Sequence, residues 1–189
     1  MALTWIILVL IIAAGAFFLL SYNSLVRKRN QTQEAWSDID VQLKRRYDLI
    51  PNLVQVVKGY AQHERDAFDA VTKARAAAVG ANSPQEKADA QQSLSSTLRT
   101  LFAVAEAYPE LKANTNFLEL QRELSDTENK IQAAHRFYNS TVLEYNTALQ
   151  TVPSNFIASL FSFTPAEFFE LKEDAARTAP QIDVTARAD

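Results

Sequence analysis

The first 29 residues constrain this chain more than any other stretch. No charged residue occurs from Met1 to Val26, and Trp5 to Leu20 is almost unbroken hydrocarbon. A helix rises about 1.5 Å per residue, so roughly 20 such residues cross a hydrocarbon layer of about 30 Å. Trp5, Leu10, Phe17 and Leu20 sit along this run, and Arg27, Lys28 and Arg29 close it. A cleaved signal peptide would carry basic residues before a core of about 7–15 residues. Here nothing basic precedes the core, and Phe17-Phe18-Leu19-Leu20 runs past the only small-residue cluster, Ala13 to Ala16. The segment therefore reads as an uncleaved anchor. Basic residues gather on the cytoplasmic side of a span. The expected topology is a single-pass protein with Met1 outside and the remainder, residues 30–173, as a cytoplasmic bundle.

About 160 residues follow the anchor, enough for one domain. Only three glycines occur, among many Ala, Leu, Gln and Glu, which predicts an all-α fold. A net charge of −3 provides no basic field for nucleic acid. Cysteine is absent, so disulfides, thiol catalysis and thiolate metal sites are excluded.

Apolar residues recur in steps of three and four from Trp36 through Ile39, Leu43, Tyr47, Ile50, Val54 and Val57 to Phe68 and Val71. That is the signature of one buried helical face. Trp36, Leu43, Ile50, Val57 and Val71 keep one seven-residue frame across Pro51, and Glu64 is the single charge in it. The frame predicts one long helix over about 31–79, kinked at Pro51. Ser83-Pro84-Gln85-Glu86 is a capping box that opens a helix over about 84–108. A third helix over about 116–150 carries Phe117, Leu124, Ile131, Tyr138 and Tyr145 at intervals of seven. Thr164-Pro165-Ala166-Glu167 reads as a second capping box and predicts a short helix over 165–173. Residues 174–189 read as a disordered tail. The whole is an antiparallel up-and-down bundle of long helical hairpins behind one transmembrane helix.

Between them, Phe156, Ile157, Leu160, Phe161, Phe163, Phe168 and Phe169 crowd together. They either cap the open end of the bundle or lie at the membrane interface. Three long legs leading away, back and away again place them at the distal end, which favours the cap.

Chemistry is sparse. Tyr60 and Gln132 stand where a helical di-iron site would need glutamates before His63 and His135. Neither a phosphate-binding glycine loop nor a nucleophile elbow occurs. No metal, cofactor, nucleic acid or small-molecule substrate is expected, and no enzymatic activity. Lys44, Arg45 and Arg46 are a candidate partner site, although ion pairing with Asp38, Asp40 and Asp48 is the favoured reading. Trp36 and Ile39 lie where the first helix is expected to run alone. An isolated helix gains little from propensity, so these two are expected to contact another copy or a protein partner.

Several stretches together resemble the LemA family of bacterial membrane proteins. They are residues 22–30, 35–53 and 58–64, then 108–113 with Asn116-Phe117, and 123–131 with Tyr138-Asn139 and Tyr145-Asn146. The resemblance implies one N-terminal span in the cytoplasmic membrane, a helical bundle, and no established enzymatic activity. With the residues it supports a membrane-anchored scaffold or adaptor. The alternative is a regulatory module linked to envelope stress or membrane-protein quality control.

Overall fold

The computed structural model describes residues 1–170, all of them helical or irregular. Helix α1 runs from Ala2 to Tyr60 without a break, about 88 Å at helical rise. Its N-terminal part is long and apolar enough to cross a membrane, and no residue of its most apolar window is buried. Then come α2 (Arg65–Gly80), α3 (Pro84–Glu106), the single turn α4 (Pro109–Lys112), α5 (Thr115–Gln150) and α6 (Ser154–Leu160). Ser162 turns the chain in the left-handed region, at φ 53°, and residues 163–170 form an irregular strap without helix or sheet.

The helix expected over 31–79 is two helices. It passes through Pro51 but ends at Tyr60, and the chain reverses over residues 61–64. The heptad frame survives because α2 folds its own column, Phe68, Val71, Ala74 and Ala78, back into the same core as Ile50, Leu53 and Val57. Glu64, the one charge in that column, stands at the reversal as the residue before α2. Its carboxylate accepts a hydrogen bond from the Tyr108 hydroxyl at 3.4 Å.

Pro51 explains part of this docking. Proline has no N–H, so the Tyr47 carbonyl one turn earlier has no helical donor. Arg75 of α2 supplies one, its Nε donating to the Tyr47 oxygen at 2.7 Å. The Tyr47 hydroxyl donates to the Ala78 carbonyl at 3.3 Å and accepts from Gln91 Nε2 of α3. Burial pushes the phenol up to about 12.

The capping box at α3 forms as its sequence requires: Ser83 accepts from the Glu86 amide, and Glu86 reaches back to the Ser83 amide. Asn114 caps α5 by accepting from the Phe117 amide at 3.0 Å. Helix α5 then runs antiparallel to α1, from Asn114 beside Tyr60 to Glu144 beside Lys28. The legs are thus four rather than three, and the end of α5 returns to the apolar part of α1.

Two regions result. From about Asp40 to Tyr60, α1 is joined by α2, α3 and α5 in a four-helix head whose core includes Leu43, Ile50, Leu94, Leu101 and Leu124. At the start of α3, Lys87 pairs with Asp40 and lies over the Trp36 ring, where the head meets the stalk. From Tyr22 to Asp40, about 27 Å, a stalk of α1 and α5 stands between the head and the apolar part of α1. A separate small core of Leu25, Ile157 and Ala158 lies at its base.

Candidate functional site

The stalk carries the most specific arrangement in the molecule. Tyr138-Asn139 and Tyr145-Asn146 repeat at seven residues on α5 and grip the strap with side chains that bond its backbone. Asn146 accepts from the Ala166 amide and donates to the Ala166 carbonyl, both at 2.9 Å. Asn139 does the same with Phe169, again at 2.9 Å both ways. The Tyr145 hydroxyl donates to the Thr164 carbonyl at 3.1 Å, and that of Tyr138 to the Glu167 carbonyl at 2.7 Å.

The two repeats match in length. Seven residues of helix rise about 10.5 Å, and three residues of extended chain span about 9–10 Å. Each Tyr-Asn pair therefore meets the same two backbone positions of a three-residue unit. Within the strap, Phe163, Ala166 and Phe169 face inward, while the residues between are exposed. A three-residue period is that of polyproline II, and Pro165 suits it. The helix expected at 165–173 is absent over the described residues 165–170, because α5 satisfies this backbone from outside. Residues 171–189, including the expected tail, lie outside the described residues.

Phe169 is buried against His135, with ring centroids 4.0 Å apart and nearly parallel, and against Trp36 at 6.0 Å. Phe163 lies against Tyr22 at 5.9 Å, with the Arg29 guanidinium over its ring. His135 Nδ1 and Nε2 are both buried without a hydrogen-bond partner. Burial, with a smaller push from Arg46, drives the imidazole down to about 4, against a pull from Glu128. The ring is held neutral as a packing surface.

Trp36 and Ile39 are turned inward. Ile39 is fully buried. Trp36 is half-buried by Tyr138 at 5.2 Å, by Phe169 and by the Lys87 ammonium over its ring. The stretch expected to run alone is lined by α5 and the strap, and these contacts of both residues are within the chain.

The basic triplet Lys44-Arg45-Arg46 divides. Lys44 and Arg45 are exposed, and Lys44 pairs with Asp48 at 3.1 Å. Arg46 points inward, and its Nη1 meets Glu128 Oε2 of α5 at 3.0 Å and Gln91 Oε1 of α3 at 3.1 Å. Nη2 donates to Ser95 Oγ at 2.8 Å. Burial lowers its pKa and Glu128 raises it. Arg46 is thus the polar tie among three helices of the head.

Of the basic flank, Arg27 is exposed, Lys28 pairs with Glu144 at 3.1 Å, and Arg29 covers Phe163. Trp5, Leu10, Phe17 and Leu20 are all exposed along the apolar part of α1. Opposite the strap, α1 and α5 leave an open groove lined by Arg27, Asn30, Gln31, Glu34, Asp38 and Phe137. Among the described residues no group of three or more His, Asp or Glu side chains converges as a metal site would.

The Phe-rich segment is not at the distal end. Phe161 lies 5.8 Å from Phe18 and 4.7 Å from Tyr22, ring to ring. The extra reversal at residues 61–64 brings it to the apolar part of α1. Periodicity carries no trace of the strap clamp or of this placement; the repeated Tyr138-Asn139 and Tyr145-Asn146 pairs are the clamp's visible signal.

The LemA family model matches residues 35–184. LemA of Metamycoplasma hominis is 28% identical over 88% of this chain and 78% of its own length. Magnetosome protein MamQ 2 of Paramagnetospirillum magneticum is 25% identical over 91% of this chain and 74% of its own. MamQ of Magnetospirillum gryphiswaldense is 23% identical over 87% and 71%. With an apolar N-terminal helix running unbroken into a helical bundle, this chain belongs to the LemA family.

Proposed function

We propose that this protein is a non-enzymatic scaffold or adaptor of the bacterial cytoplasmic membrane, single-pass, with its bundle in the cytoplasm. The observation that carries the reading is the continuity of α1. One helix serves as apolar anchor, as half of the stalk and as the central element of the head. A rod built this way holds its head about 27 Å or more from the bilayer at a fixed angle. The side of the membrane follows from Arg27, Lys28 and Arg29 after the apolar run.

The partner face is the open groove beside Phe137, since the opposite flank is filled by the strap. Phe137 is exposed there among polar side chains. A large apolar residue ringed by polar ones is the usual make-up of a protein contact. The same continuity supports the regulatory alternative, because a shift of the span would move the head with it.

The test is photocrosslinking of full-length protein in native membranes, with the probe at Phe137 and a control probe at exposed Gln121 on α5. A scaffold gives a discrete product from position 137, a protein partner or a second copy, and none from 121. No product at either position, in membranes where the protein is abundant, overturns the scaffold reading. A product whose yield changes with bilayer stress favours the regulatory alternative.

A further inference from the structure

We propose that α6 is a second membrane attachment, a foot whose outer face sits among lipids at the acyl–headgroup boundary of the leaflet that α1 leaves. This rests on the apolar part of α1 being the anchor. The argument begins with what α6 does not bury. Ile157 and Ala158 pack on Leu25, but Val152, Phe156, Leu160 and Phe161 stay exposed, at 71%, 70%, 68% and 46%. Phe156 and Leu160 are spaced by four on α6 and so share one face, with Val152 just before the helix and Phe161 just after it.

Depth is set by the partners. Phe161 touches Phe18 and Tyr22, at the end of the apolar run. Leu25 lies one turn further on, and the first ion pair, Lys28 with Glu144, one turn beyond that. The environment thus changes from apolar to aromatic to charged along α1, as it does across a bilayer interface. Helix α6 is only about 10 Å long, so its exposed face cannot leave this zone. The sequence agrees: no charged residue lies between Glu144 and Glu167, the part of the chain that the fold returns to the membrane.

The occupant is lipid rather than protein. Two side chains on a two-turn helix and one flanking it at each end fall far short of the roughly 800 Å² per partner of a stable protein interface. They match instead the shallow apolar face of an interfacial helix, and the patch is continuous with the lipid-facing surface of α1. Anchor and foot together would fix the tilt and rotation of the stalk. The strap, held along α5, ties the foot to Trp36 near the head end of the stalk.

The absence of cysteine allows single spin labels to be placed without background. Labels at Phe156→Cys, Leu160→Cys, Leu10→Cys and Gln121→Cys are compared in full-length protein reconstituted in phosphatidylethanolamine–phosphatidylglycerol vesicles. Accessibility to oxygen and to a water-soluble nickel chelate reads the depth of each. The expected result is deep burial at Leu10, oxygen favoured over nickel at both foot positions, and the reverse at Gln121. Nickel access at Phe156 and Leu160 equal to that at Gln121 overturns the foot, and the Leu10 reading then shows separately whether the anchor stands. Shielding of both foot labels from both reagents, with broadening between labels, would mean a second copy covers the face, and would also overturn it.

Discussion

Replacing Asn139 with alanine removes both hydrogen bonds that hold the backbone of Phe169. Each such bond contributes about 0.5–1.5 kcal/mol net, so the pair contributes about 1–3 kcal/mol. The Phe169 ring stays attracted to Trp36 and His135, which keeps the strap near its groove. The loss is therefore local, an easier opening of the strap rather than unfolding of the head, whose core lies mostly on other helices. At 1.4 kcal/mol per tenfold, about 2 kcal/mol raises the open population roughly thirtyfold. Amide hydrogen exchange reads this directly. The Phe169 amide should exchange about ten to a hundred times faster in Asn139→Ala, while amides of α3 and of α1 near Leu53 keep their protection. Asn146→Ala should do the same at Ala166. Unchanged protection at Phe169 would refute the clamp, and a uniform loss across the head would refute its local character.

The Arg46 tie should be asymmetric. Arg46→Ala leaves Gln91 and Ser95 without their donor and should lower stability by about 2–4 kcal/mol. Glu128→Gln, whose carboxylate is partly in water, should cost under about 1 kcal/mol by denaturant titration. His135 sets a pH dependence. Its folded value of about 4 lies below the ordinary 6.5, so the unfolded state binds the proton more readily as pH falls. Stability is full above about pH 6.5 and declines toward pH 4, by about 1–2 kcal/mol at pH 5 allowing for residual solvent access. His135→Leu should abolish that slope without loss at pH 7, since neither ring nitrogen has a partner to lose. A fragment beginning at Gln31 should fold as a soluble head and stalk, because the main core starts at Ala35. Its α6 amides should lose protection, having lost Phe18, Tyr22 and Leu25; equal protection would show that α6 does not depend on α1.

Periodicity disclosed the long helices because each buries one face along its whole length, as Trp36 to Val57 and Phe117 to Tyr145 do. It hid the reversal at residues 61–64 for the same reason. A four-residue turn that returns the next helix to the same core leaves the seven-residue frame intact, and only the charge of Glu64 marks it. That one hidden turn moved the Phe-rich segment from one end of the bundle to the other. The strap escaped differently. Over seven residues a period of three and a period of 3.6 are nearly alike, so Thr164-Pro165-Ala166-Glu167 read as a helix start. What decides between them is Asn139 and Asn146, some 20 to 30 residues away. Trp36 belonged to the buried column, and its place in that column already spoke for an intramolecular contact.

Which side of the membrane the bundle occupies can be measured with one cysteine and one impermeant thiol reagent. The protein offers no background thiol, and Gln121 is exposed on α5, far from the foot. In intact spheroplasts Gln121→Cys should stay unlabelled and should label fully once the membrane is lysed, with Ala2→Cys labelling in both. Labelling of Gln121→Cys in intact spheroplasts would put the head outside the cell and contradict a cytoplasmic scaffold.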